Sequence, residues 1–483
     1  MSKVSLHWFR KDLRLSDNPA LRAALAHGDE TACVFILDPD CEGALPVGAA
    51  GAWWLHHSLT ALAQDIAALG GQLILRRGPA RRCLEDVCQE TGATAVYWNR
   101  CYEPEAITRD SEIKQHLKEQ GLLVESFNGS LLHEPWEVKT KLGGAYGVFS
   151  PFWKAELDLG DLPNPMAKPN IITPPSQQIP SDTLAEWALL PTKPDWTGGL
   201  RQSWTPGEAG ARQRLGDFLD SIAQRYDDTR NRPDIAGTSR LSPHLAFGEI
   251  SPREIWHVAL DRSRTESGAV LDKGIWSFLR ELGWRDFNHN LLFHNPTLPQ
   301  ENYNSRFDAF PWQEDPTALK AWRTGGTGYP LVDAGMRELW QTGFMHNRVR
   351  MVVASFLIKH LMIDWRVGEA WFRDTLVDAD LANNVANWQW TAGCGADAAP
   401  YFRIFNPIGQ GEKFDPDGHY IRHWVPELKN MPTKYLNKPW EAPQEVLREA
   451  GVDLGKTYPK PVVRHVEARN RALEAYNDIK GAA

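Results

Sequence analysis

Short apolar segments alternate with amphipathic segments over the first 130 residues, and this alternation constrains the fold more than any other feature. A run such as Val4–Phe9 predicts a strand, whereas Trp53–Leu69 has helical periodicity and stops at Gly70–Gly71. Strands separated by helices pair in parallel through crossover connections. Residues 1–130 are therefore predicted to form an α/β domain with a five-stranded, mostly parallel sheet. In chain order the predicted strands and helices are Val4–Phe9, Pro19–His27, Ala32–Leu37, Trp53–Leu69, Leu73–Leu75, Ala80–Glu90, Ala95–Trp98, Glu105–Gln120 and Leu122–Phe127.

The rest of the chain has a different pattern. Residues 131–205 are rich in Pro, Gly and Ser, which predicts a long connector that follows the surface. From Gly207 onward apolar residues recur at helical spacing, so residues 206–483 are predicted to form an all-α domain. Its predicted helices are Arg212–Tyr226, Ser251–Arg262, Leu271–Asn288, Thr317–Trp322, Leu331–Thr342, Met345–Ile363 and Glu369–Leu376.

Composition narrows the class of protein. The chain has 53 Lys and Arg against 61 Asp and Glu, a net charge of −8, which argues against a generally basic nucleic-acid-binding surface but allows a local basic groove. Its six Cys form no CxxC and no zinc-ligand spacing, so free thiols in a reducing compartment and no metal site are expected. The N-terminus carries charges where a signal peptide is apolar, and the apolar run Met351–Ile358 is too short to cross a membrane. A cytosolic protein is expected.

Glycine-rich nucleotide motifs are weak in this chain. The predicted strands lack a GxGxxG, so a Rossmann dinucleotide site is not expected in the first domain. Gly451–Thr457 reads GVDLGKT, which is one residue short of a P-loop and follows no predicted strand. We interpret it as a surface segment.

The segment Asp378–Pro407 combines short polar side chains with indoles. A core segment does not need so many amides and carboxylates beside Trp, whereas a site for a polar, planar, redox-active ligand does. The chain has 21 Trp in 483 residues, although core packing is the default role of any single one. The polar residues are Asp378, Asp380, Asn383, Asn384 and Asn387, and the indoles are Trp388 and Trp390.

Two predicted helices carry polar residues at spacings that share one face. Glu281, Trp284 and Arg285 lie at i, i+3 and i+4, so they could bind a flat heterocycle or could be a surface Glu–Arg pair beside a half-buried Trp. Asn347, Arg350 and Met351 repeat the spacing, and the alternative there is an amphipathic helix with solvated Arg side chains.

Buried carboxylates and a helix start provide two further predictions. Arg350 is a candidate partner for Asp378 or Asp380, because a buried carboxylate needs a compensating charge. The segment GTSRLSPHL offers hydroxyls and backbone N–H groups before a proline-started helix, which suits a phosphate or pyrophosphate. The alternative is N-capping of that helix by Ser242.

Taken together, long motifs in the sequence resemble the photolyase/cryptochrome family over nearly its full length. HWFRKDLRLSDNPAL resembles the family's opening strand and loop, and GTSRLSPHLAFGEISPRE its flavin-diphosphate segment. RELGWRDF, GTGYPLVDAGMRELWQTGFMHNRVRMVVASFLIKHLMIDWRVGE and the opening of DADLANNVANWQWTAGCGADAAPYFRIFNP resemble its helical-domain signature. The resemblance implies an N-terminal antenna domain and a C-terminal helical domain that holds a U-shaped FAD.

The resemblance also implies ligand residues for FAD. Asn384 falls where the family places a residue facing the flavin N5, and plant cryptochromes usually have Asp there. An amide adds no second negative charge and should favour the reduced, anionic flavin. The implied diphosphate-side residues are Tyr226, Thr238, Ser239, Arg240, Leu241 and Ser242. The implied residues around the isoalloxazine and ribityl are Asn347, Arg350, Asp378, Asp380 and Asn384, and Glu281 and Arg285 border the same cofactor.

The implied substrate is a cyclobutane pyrimidine dimer in UV-damaged DNA, which must leave the duplex to reach the flavin. The lesion pocket would be formed by Glu281, Trp284, Arg285, Asn347, Met351 and Trp390. The (6-4) photolyase branch has two His where Asn347 and Met351 stand, which favours cyclobutane dimers. The implied electron relay to the flavin is Trp388, Trp365 and Trp312. The positive rim expected to meet DNA includes Arg230, Arg232, Arg403 and Lys413.

Several expectations follow from the family as a whole. Phe278 and Phe344 stand where many bacterial members have Trp, a pattern that leans toward the bacterial photolyases nearest plant cryptochromes. A second, antenna chromophore is expected near the domain cleft close to the Asn99–Glu105 strand end, with 5,10-methenyltetrahydrofolate as the first choice and a deazaflavin as the alternative. The protein is expected to act as a monomer without an obligate protein partner. The alternative function is a cryptochrome, a blue-light photoreceptor without repair activity.

Overall fold

A parallel sheet forms the centre of the N-terminal half, as predicted. The computed structural model describes residues 2–39, 41, 45, 47–263, 272–398 and 402–481, and within these ranges the chain forms one five-stranded sheet with the strand order β3-β2-β1-β4-β5. Every adjacent pair of these strands is parallel, with Leu6 of β1 opposite both Ala32 and Val96. The strands are β1 (Val4–Phe9), β2 (Glu30–Leu37), β3 (Leu73–Arg77), β4 (Ala95–Asn99) and β5 (Leu123–Phe127).

Four helices cover the two faces of this sheet. Because side chains alternate along a strand, Leu6 and Trp8 of β1 pack on one face in a core shared with α3 and α4, and Phe9 packs on the other face with α2. β1, the central strand, is buried along its whole length. The helices are α1 (Pro19–His27), α2 (Ala49–Ala68), α3 (Ala80–Thr91) and α4 (Pro104–Glu119).

The second half is helical, as predicted, and most of its buried apolar residues form one large cluster, whereas Phe344 and Val377 pack in a smaller cluster with α2. Its helices are α7 (Glu208–Ser221), α8 (Tyr226–Thr229), α9 (Ser242–Ala246), α10 (Pro252–Ser263), α11 (Lys273–His294), α12 (Pro316–Arg323), α13 (Pro330–Thr342), α14 (Asn347–Ser355), α15 (Trp365–Thr375), α16 (Leu381–Ala392), α17 (Pro407–Phe414), α18 (His419–Trp424), α19 (Thr433–Leu436), α20 (Gln444–Glu449) and α21 (His465–Gly481). Among the described residues, no helix is both long and apolar enough to cross a membrane.

Some helix boundaries differ from the predicted ones for local reasons. The helix predicted over Arg212–Tyr226 ends at Ser221, and a short 3₁₀ turn precedes α8. The helix predicted over Met345–Ile363 begins at Asn347, where the His346 side chain accepts a hydrogen bond from the Arg348 N–H, and it continues past Ser355 as a π-helix. Leu271, the predicted start of α11, lies outside the described residues.

The predicted connector contains two helices, α5 (Phe149–Leu157) and α6 (Gly198–Ser203). Phe149, Phe152 and Trp153 of α5 are buried in the core of the helical half, so this part of the connector is packed into the domain. The GVDLGKT segment lies between α20 and α21 in turn structure, not at the end of a strand of the sheet.

The segment that follows β1 joins the two halves. Arg14 is buried, and its guanidinium donates to the carbonyl oxygens of Gly248 at 2.9 Å and Gly129 at 2.6 Å. Asp17 pairs with Arg253 at 2.7 Å. Buried charged groups with partners in both halves fix the relative position of the sheet and the helices.

Candidate functional site

The polar and indole-rich segment forms helix α16, which the sequence pattern did not indicate. Asp380 caps it, since its Oδ1 accepts a hydrogen bond from the Asn383 N–H at 2.9 Å, and the helix ends at Gly393 in the left-handed region, with φ of 97°. Residues at i and i+4 share a face, so Asn384 and Trp388 lie on one side of α16. Trp390 lies on the opposite side, because two residues correspond to a rotation of about 200°.

A buried carboxylate forms the centre of the flavin-side group. Asp378 Oδ2 accepts hydrogen bonds from Arg350 Nη2 at 2.8 Å and from Ser242 Oγ at 2.6 Å. The predicted ion pair of Arg350 therefore forms, with Asp378 as its partner. N-capping by Ser242 is wrong, because its hydroxyl bonds to Asp378 from 136 residues away. Asp378 Oδ1 is buried and has no hydrogen-bond partner in the part of the chain that the structure describes.

Arg240 has an unusual backbone in the segment before α9. Its φ is +53°, a conformation that costs free energy for a residue with a side chain and is typical of functional sites. Its guanidinium lies 4.5 Å from the Trp204 ring centroid and 4.8 Å from that of Phe344. Its Nε is buried and lacks a partner among the described residues. Arg240 is thus held with a donor that no described protein group satisfies.

The remaining diphosphate-side residues surround this turn. Tyr226 and Leu241 are buried, whereas Thr238 and Ser239 are half-buried. Phe278 packs against the Tyr226 ring with a centroid distance of 5.8 Å. The Phe344 ring centroid lies within 5.0 Å of the guanidinium groups of both Arg240 and Arg350. Both Phe residues therefore border the predicted flavin side.

A second group of side chains favours the ionised form of Asp380. Burial alone would raise its pKa, but His289 at 3.5 Å, Lys11 and Arg285 together hold the pKa of this carboxyl well below its usual range. Arg350 is therefore the partner of Asp378 and not of Asp380. Asp380 connects the helical half to Lys11 of the α/β half, which sequence spacing did not indicate.

Glu281 and Trp284 of α11 have partners outside their own helix. Glu281 pairs with Arg230 at 2.6 Å, so the alternative of a Glu281–Arg285 surface pair is wrong. Arg285 instead donates to the Ser130 carbonyl oxygen at 2.5 Å. Burial raises the pKa of Glu281 in spite of Arg230. The half-buried Trp284 stacks on Phe149, with ring centroids 3.7 Å apart and planes 9° apart.

The first turn of α14 brings flavin-side and lesion-side candidates together. Asn347 is exposed and Met351 is half-buried one turn later, with Arg350 between them. The Arg side chains of this helix are bonded and not simply solvated. Arg348 donates to Asn231 Oδ1 at 2.7 Å, and Arg350 contacts Asp378.

Three Trp of the predicted relay lie on neighbouring segments and differ in burial. Trp388 is 2% exposed and packs against α15, where a Cβ added to Gly368 would come within 2.2 Å of its ring. Trp365 is fully buried at the start of α15, and its Nε1 donates to Asn302 Oδ1 at 2.9 Å. Trp312 is half-buried, and the next residue donates its N–H to the Met362 carbonyl oxygen just before α15. Burial therefore decreases from Trp388 and Trp365 to Trp312.

The other residues of α16 have distinct partners. Asn384 Nδ2 donates to Glu369 Oε1 at 2.9 Å and to its carbonyl oxygen at 3.2 Å. The half-buried Trp390 donates from Nε1 to the Asp397 carbonyl oxygen at 3.1 Å. Glu369 and Asp397 were not among the predicted site residues, and their spacing in sequence gave no signal for these contacts.

The predicted basic rim is partly neutralised within the protein. Arg230 is paired with Glu281, and Arg232 donates to Asp234 Oδ1 at 2.7 Å. Arg403 lies 5.9 Å from the Phe405 ring centroid, and the ammonium of Lys413 lies 5.1 Å from that of Phe414.

A small cavity lies between the two halves, next to the end of β4. Lys11 and Glu103 form an ion pair at its wall. Burial raises the pKa of Glu103, but Lys11 outweighs it and the net shift is downward. The helical half contributes Arg285, His289 and Asp380 to the same lining. The position agrees with the predicted cleft near Asn99–Glu105, although Lys11 and Asp380 were not predicted there.

Profiles of two protein families match the chain. The profile described as DNA photolyase matches residues 5–170. The profile described as FAD binding domain of DNA photolyase matches residues 278–478. The first match contains the parallel sheet, and the second contains α12 to α16 together with Asp378 and Asp380.

Relatives match over nearly the whole chain. The chain is 54% identical over 474 residues to a deoxyribodipyrimidine photo-lyase of Agrobacterium fabrum, spanning 98% of this chain and 97% of the relative. It is 39% identical over 484 residues to Cryptochrome-1 of Arabidopsis thaliana, spanning 98% of this chain and 70% of the relative. A solved structure of a bacterial class III photolyase from Agrobacterium tumefaciens matches with a TM-score of 0.95 and 53% identity, covering 100% of this chain and 98% of that chain.

Proposed function

Because the chain belongs to the photolyase/cryptochrome family, we propose that it is a light-dependent DNA repair enzyme that splits cyclobutane pyrimidine dimers. The observation that carries the proposal is the first turn of α14, where Arg350 binds Asp378 while Asn347 and Met351 remain accessible one turn apart. One turn therefore contacts both the flavin side and the proposed lesion side. The proposed domain division is an α/β antenna domain at 1–130, a connector at 131–205 and a helical domain at 206–483.

FAD fits the residues of the helical domain. The buried Asp378 Oδ1 and Arg240 Nε supply an acceptor and a donor that lack described protein partners. Buried polar groups are costly without such partners, so they support a polar ligand at this position. Ser242, Arg350 and Asn384 complete the proposed flavin contacts. Bound, reduced FAD would supply the electron that opens the cyclobutane ring after blue-light excitation.

The lesion-side residues bind a dinucleotide that has left the duplex. Flipping is cheapest for a damaged, poorly stacked pair. The indoles of Trp284 and Trp390 stack on the flipped bases, and each such contact is worth about 1–3 kcal/mol. Glu281 forms a hydrogen bond at the pyrimidine edge and helps to stabilise the radical anion of the dimer. Asn347, Met351 and Arg285 border the same pocket.

Trp388, Trp365 and Trp312 carry electrons from the surface to the flavin side. Their order of burial supports this role, because the half-buried Trp312 can exchange electrons with solvent-borne donors. Asn384 stands on the Trp388 side of α16 and contributes an uncharged amide, which favours the anionic reduced cofactor.

A reduced folate, 5,10-methenyltetrahydrofolate, is the proposed antenna, and the cleft between the halves near the Asn99–Glu105 strand end is its proposed position. A deazaflavin is the alternative. Adding each compound to the apoprotein and measuring energy transfer to FAD decides between them.

A cryptochrome function is the second candidate, supported by the 39% identity to a plant cryptochrome. The decisive experiment is blue-light repair of an oligonucleotide with one thymine dimer, with Glu281→Ala as the reduced-activity variant. Wild type should restore thymines and Glu281→Ala should restore far fewer. If reduced wild-type holoprotein restores none, the photoreceptor function replaces repair.

DNA affinity and assembly give further tests of the proposal. Binding through the local rim of Arg403, Lys413 and neighbouring cations should weaken steeply with salt, in spite of the net charge of −8. A salt-insensitive affinity for damaged DNA contradicts it. The protein is proposed to act in the cytoplasm as a monomer, which light scattering of the holoprotein with and without DNA would check.

A further inference from the structure

Helix α5 contacts α11 through one face. Phe149, Trp153 and Glu156 lie at i, i+4 and i+7, so they are aligned along the helix. Each of the three contacts the short stretch of α11 from Gly283 to Asp286. This stretch carries Trp284 and Arg285, which the proposed function places at the lesion.

The first contact fixes the Trp284 indole. Phe149 is 1% exposed, and its ring lies parallel to that of Trp284 with 3.7 Å between centroids. A face-to-face contact at this distance covers one face of the indole. A flipped base can therefore stack only on what remains of Trp284, which sets the direction of approach.

The second contact depends on the absence of a side chain. Trp153 lies so close to Gly283 that an added Cβ would come within 2.3 Å of its ring. Only glycine permits this approach, and it brings α5 directly against the α11 backbone.

The third contact is a carboxyl pair. Glu156 and Asp286 are both about 2% exposed. Burial and then the neighbouring Asp286 raise the pKa of Glu156 to about 11. Both carboxyl oxygens of Glu156 are buried without a hydrogen-bond partner among the described residues. Asp286 Oδ2 accepts from the Leu132 N–H at 2.7 Å. Asp286 therefore joins α11 to the start of the connector, with Glu156 of α5 beside it.

We infer that α5 is a positioning element for lesion recognition and that Phe149 is its principal positioning residue, acting through Trp284. The inference rests on the proposed function. Phe149 stacks on one face of the indole, and the close approach of Trp153 to Gly283 holds α5 against α11. Without the Phe149 ring, Trp284 can adopt other rotamers, and ordering it again costs binding free energy.

The test compares two equally buried residues of the same helix. Phe152 is also 1% exposed, but it packs against Phe287 and Tyr146 instead of Trp284. Phe149→Leu and Phe152→Leu holoproteins are prepared, and the Kd for a thymine-dimer oligonucleotide, the Kd for the undamaged oligonucleotide and the melting temperature are measured. Both variants should lose similar stability. Phe149→Leu alone should bind the damaged strand about tenfold more weakly, with unchanged affinity for undamaged DNA.

Two further variants separate positioning from folding. Phe149→Tyr keeps the ring and should bind the lesion within about twofold of wild type. In a Trp284→Leu background, Phe149→Leu should cause no further loss, since the two residues act as one unit. If Phe149→Leu does not fold with FAD, Phe149→Met, which fills the space with a flexible chain, takes its place.

The possible results distinguish failure of the proposed function from failure of the positioning role of α5. If wild type neither binds nor repairs the dimer, the proposed function fails and this inference falls with it. If wild type repairs but Phe149→Leu and Phe152→Leu weaken lesion binding equally, α5 is only a structural support. Additive losses in the Trp284→Leu background would also overturn the positioning role.

Discussion

The two sides of helix α16 differ in partners, burial and proposed role, although both belong to one helix of twelve residues. On one side, Asn384 bonds to Glu369 and Trp388 packs on Gly368, so both contact α15. On the other side, Asn387 is exposed and Trp390 is half-buried. A helix is the one regular structure that separates Trp388 and Trp390 so completely at a spacing of two.

The difference shows how one short segment can serve two proposed ligands. The α15 side is tightly packed around the buried Trp388, which suits a fixed electron relay. The Trp390 side has an indole with its N–H satisfied by the Asp397 carbonyl oxygen, which leaves its ring for a base. Each side of α16 can therefore be tested separately by substituting one of its residues.

Trp388→Phe should have the largest effect, and only on the α15 side. Photoreduction of bound, oxidised FAD by an external thiol should be nearly abolished, because phenylalanine is much harder to oxidise than tryptophan. Repair by enzyme that was reduced chemically beforehand should be unchanged. Flash absorption of the flavin measures photoreduction, and the restoration of thymines in the oligonucleotide measures repair. Trp256→Phe on α10 is the control, and equal loss of photoreduction in it would contradict the relay.

Trp390→Ala should affect the other side only. Loss of one base–indole stack costs about 1–3 kcal/mol, or roughly 5- to 150-fold in the Kd for thymine-dimer DNA. Photoreduction should continue at the wild-type rate. Fluorescence anisotropy with a labelled oligonucleotide measures the Kd. Trp340→Ala removes an exposed indole that stacks on Trp371 and should leave the Kd unchanged. A shared loss in both variants would show a nonspecific effect.

The sequence predicted α11 and α14 but not α16, for an identifiable reason. Asn and Asp favour caps and turns, so a segment rich in both does not have the composition of a helix interior. The start and stop signals were present, since Asp380 precedes the helix and Gly393 ends it. The two boundary residues thus indicated a helix, although the Asn- and Asp-rich composition between them did not. The parallel sheet was predictable because alternation of strand and helix leaves few other arrangements.

Site contacts were predictable only where a strong physical need selected the partner. A buried carboxylate needs a cation, so Arg350 was correctly predicted to pair with one of two aspartates. The alternative that pairs Glu281 with Arg285 was wrong. Helical spacing makes Arg285 a neighbour of Glu281, but the fold brings in Arg230 from 51 residues away. The left-handed backbone of Arg240 has no sequence signal, because the residue is neither Gly nor Asn.

Gly368→Ala tests the α15 side without touching either indole chemically. The new Cβ would lie 2.2 Å from Trp388 and 2.7 Å from Leu357, so the ring must move. Such overpacking costs about 1–3 kcal/mol of unfolding free energy. Photoreduction should slow while lesion affinity stays at the wild-type value. Gly216→Ala on α7 is the matched control, because its Cβ meets nothing within 4 Å and should stabilise the helix slightly. If Gly368→Ala shows a normal rate of photoreduction, close packing of Trp388 against Gly368 is not required for electron transfer.

Asn384→Asp should have the smallest effect, and it should depend on pH. The substitution replaces an amide donor 2.9 Å from Glu369 Oε1 with a carboxyl, next to which Arg373 also lies. Two adjacent carboxylates raise the pKa of the new Asp above its unfolded value of about 3.9. Folding then favours the protonated form, so the variant is nearest wild type in stability below about pH 4. Its stability falls relative to wild type as pH rises, by about 1.4 kcal/mol for each unit by which the pKa is raised. Denaturant unfolding of both apoproteins from pH 4 to pH 8 measures the difference. A constant gap across that range would mean that Glu369 does not face residue 384, and the assignment of this side of α16 to α15 would have to be revised.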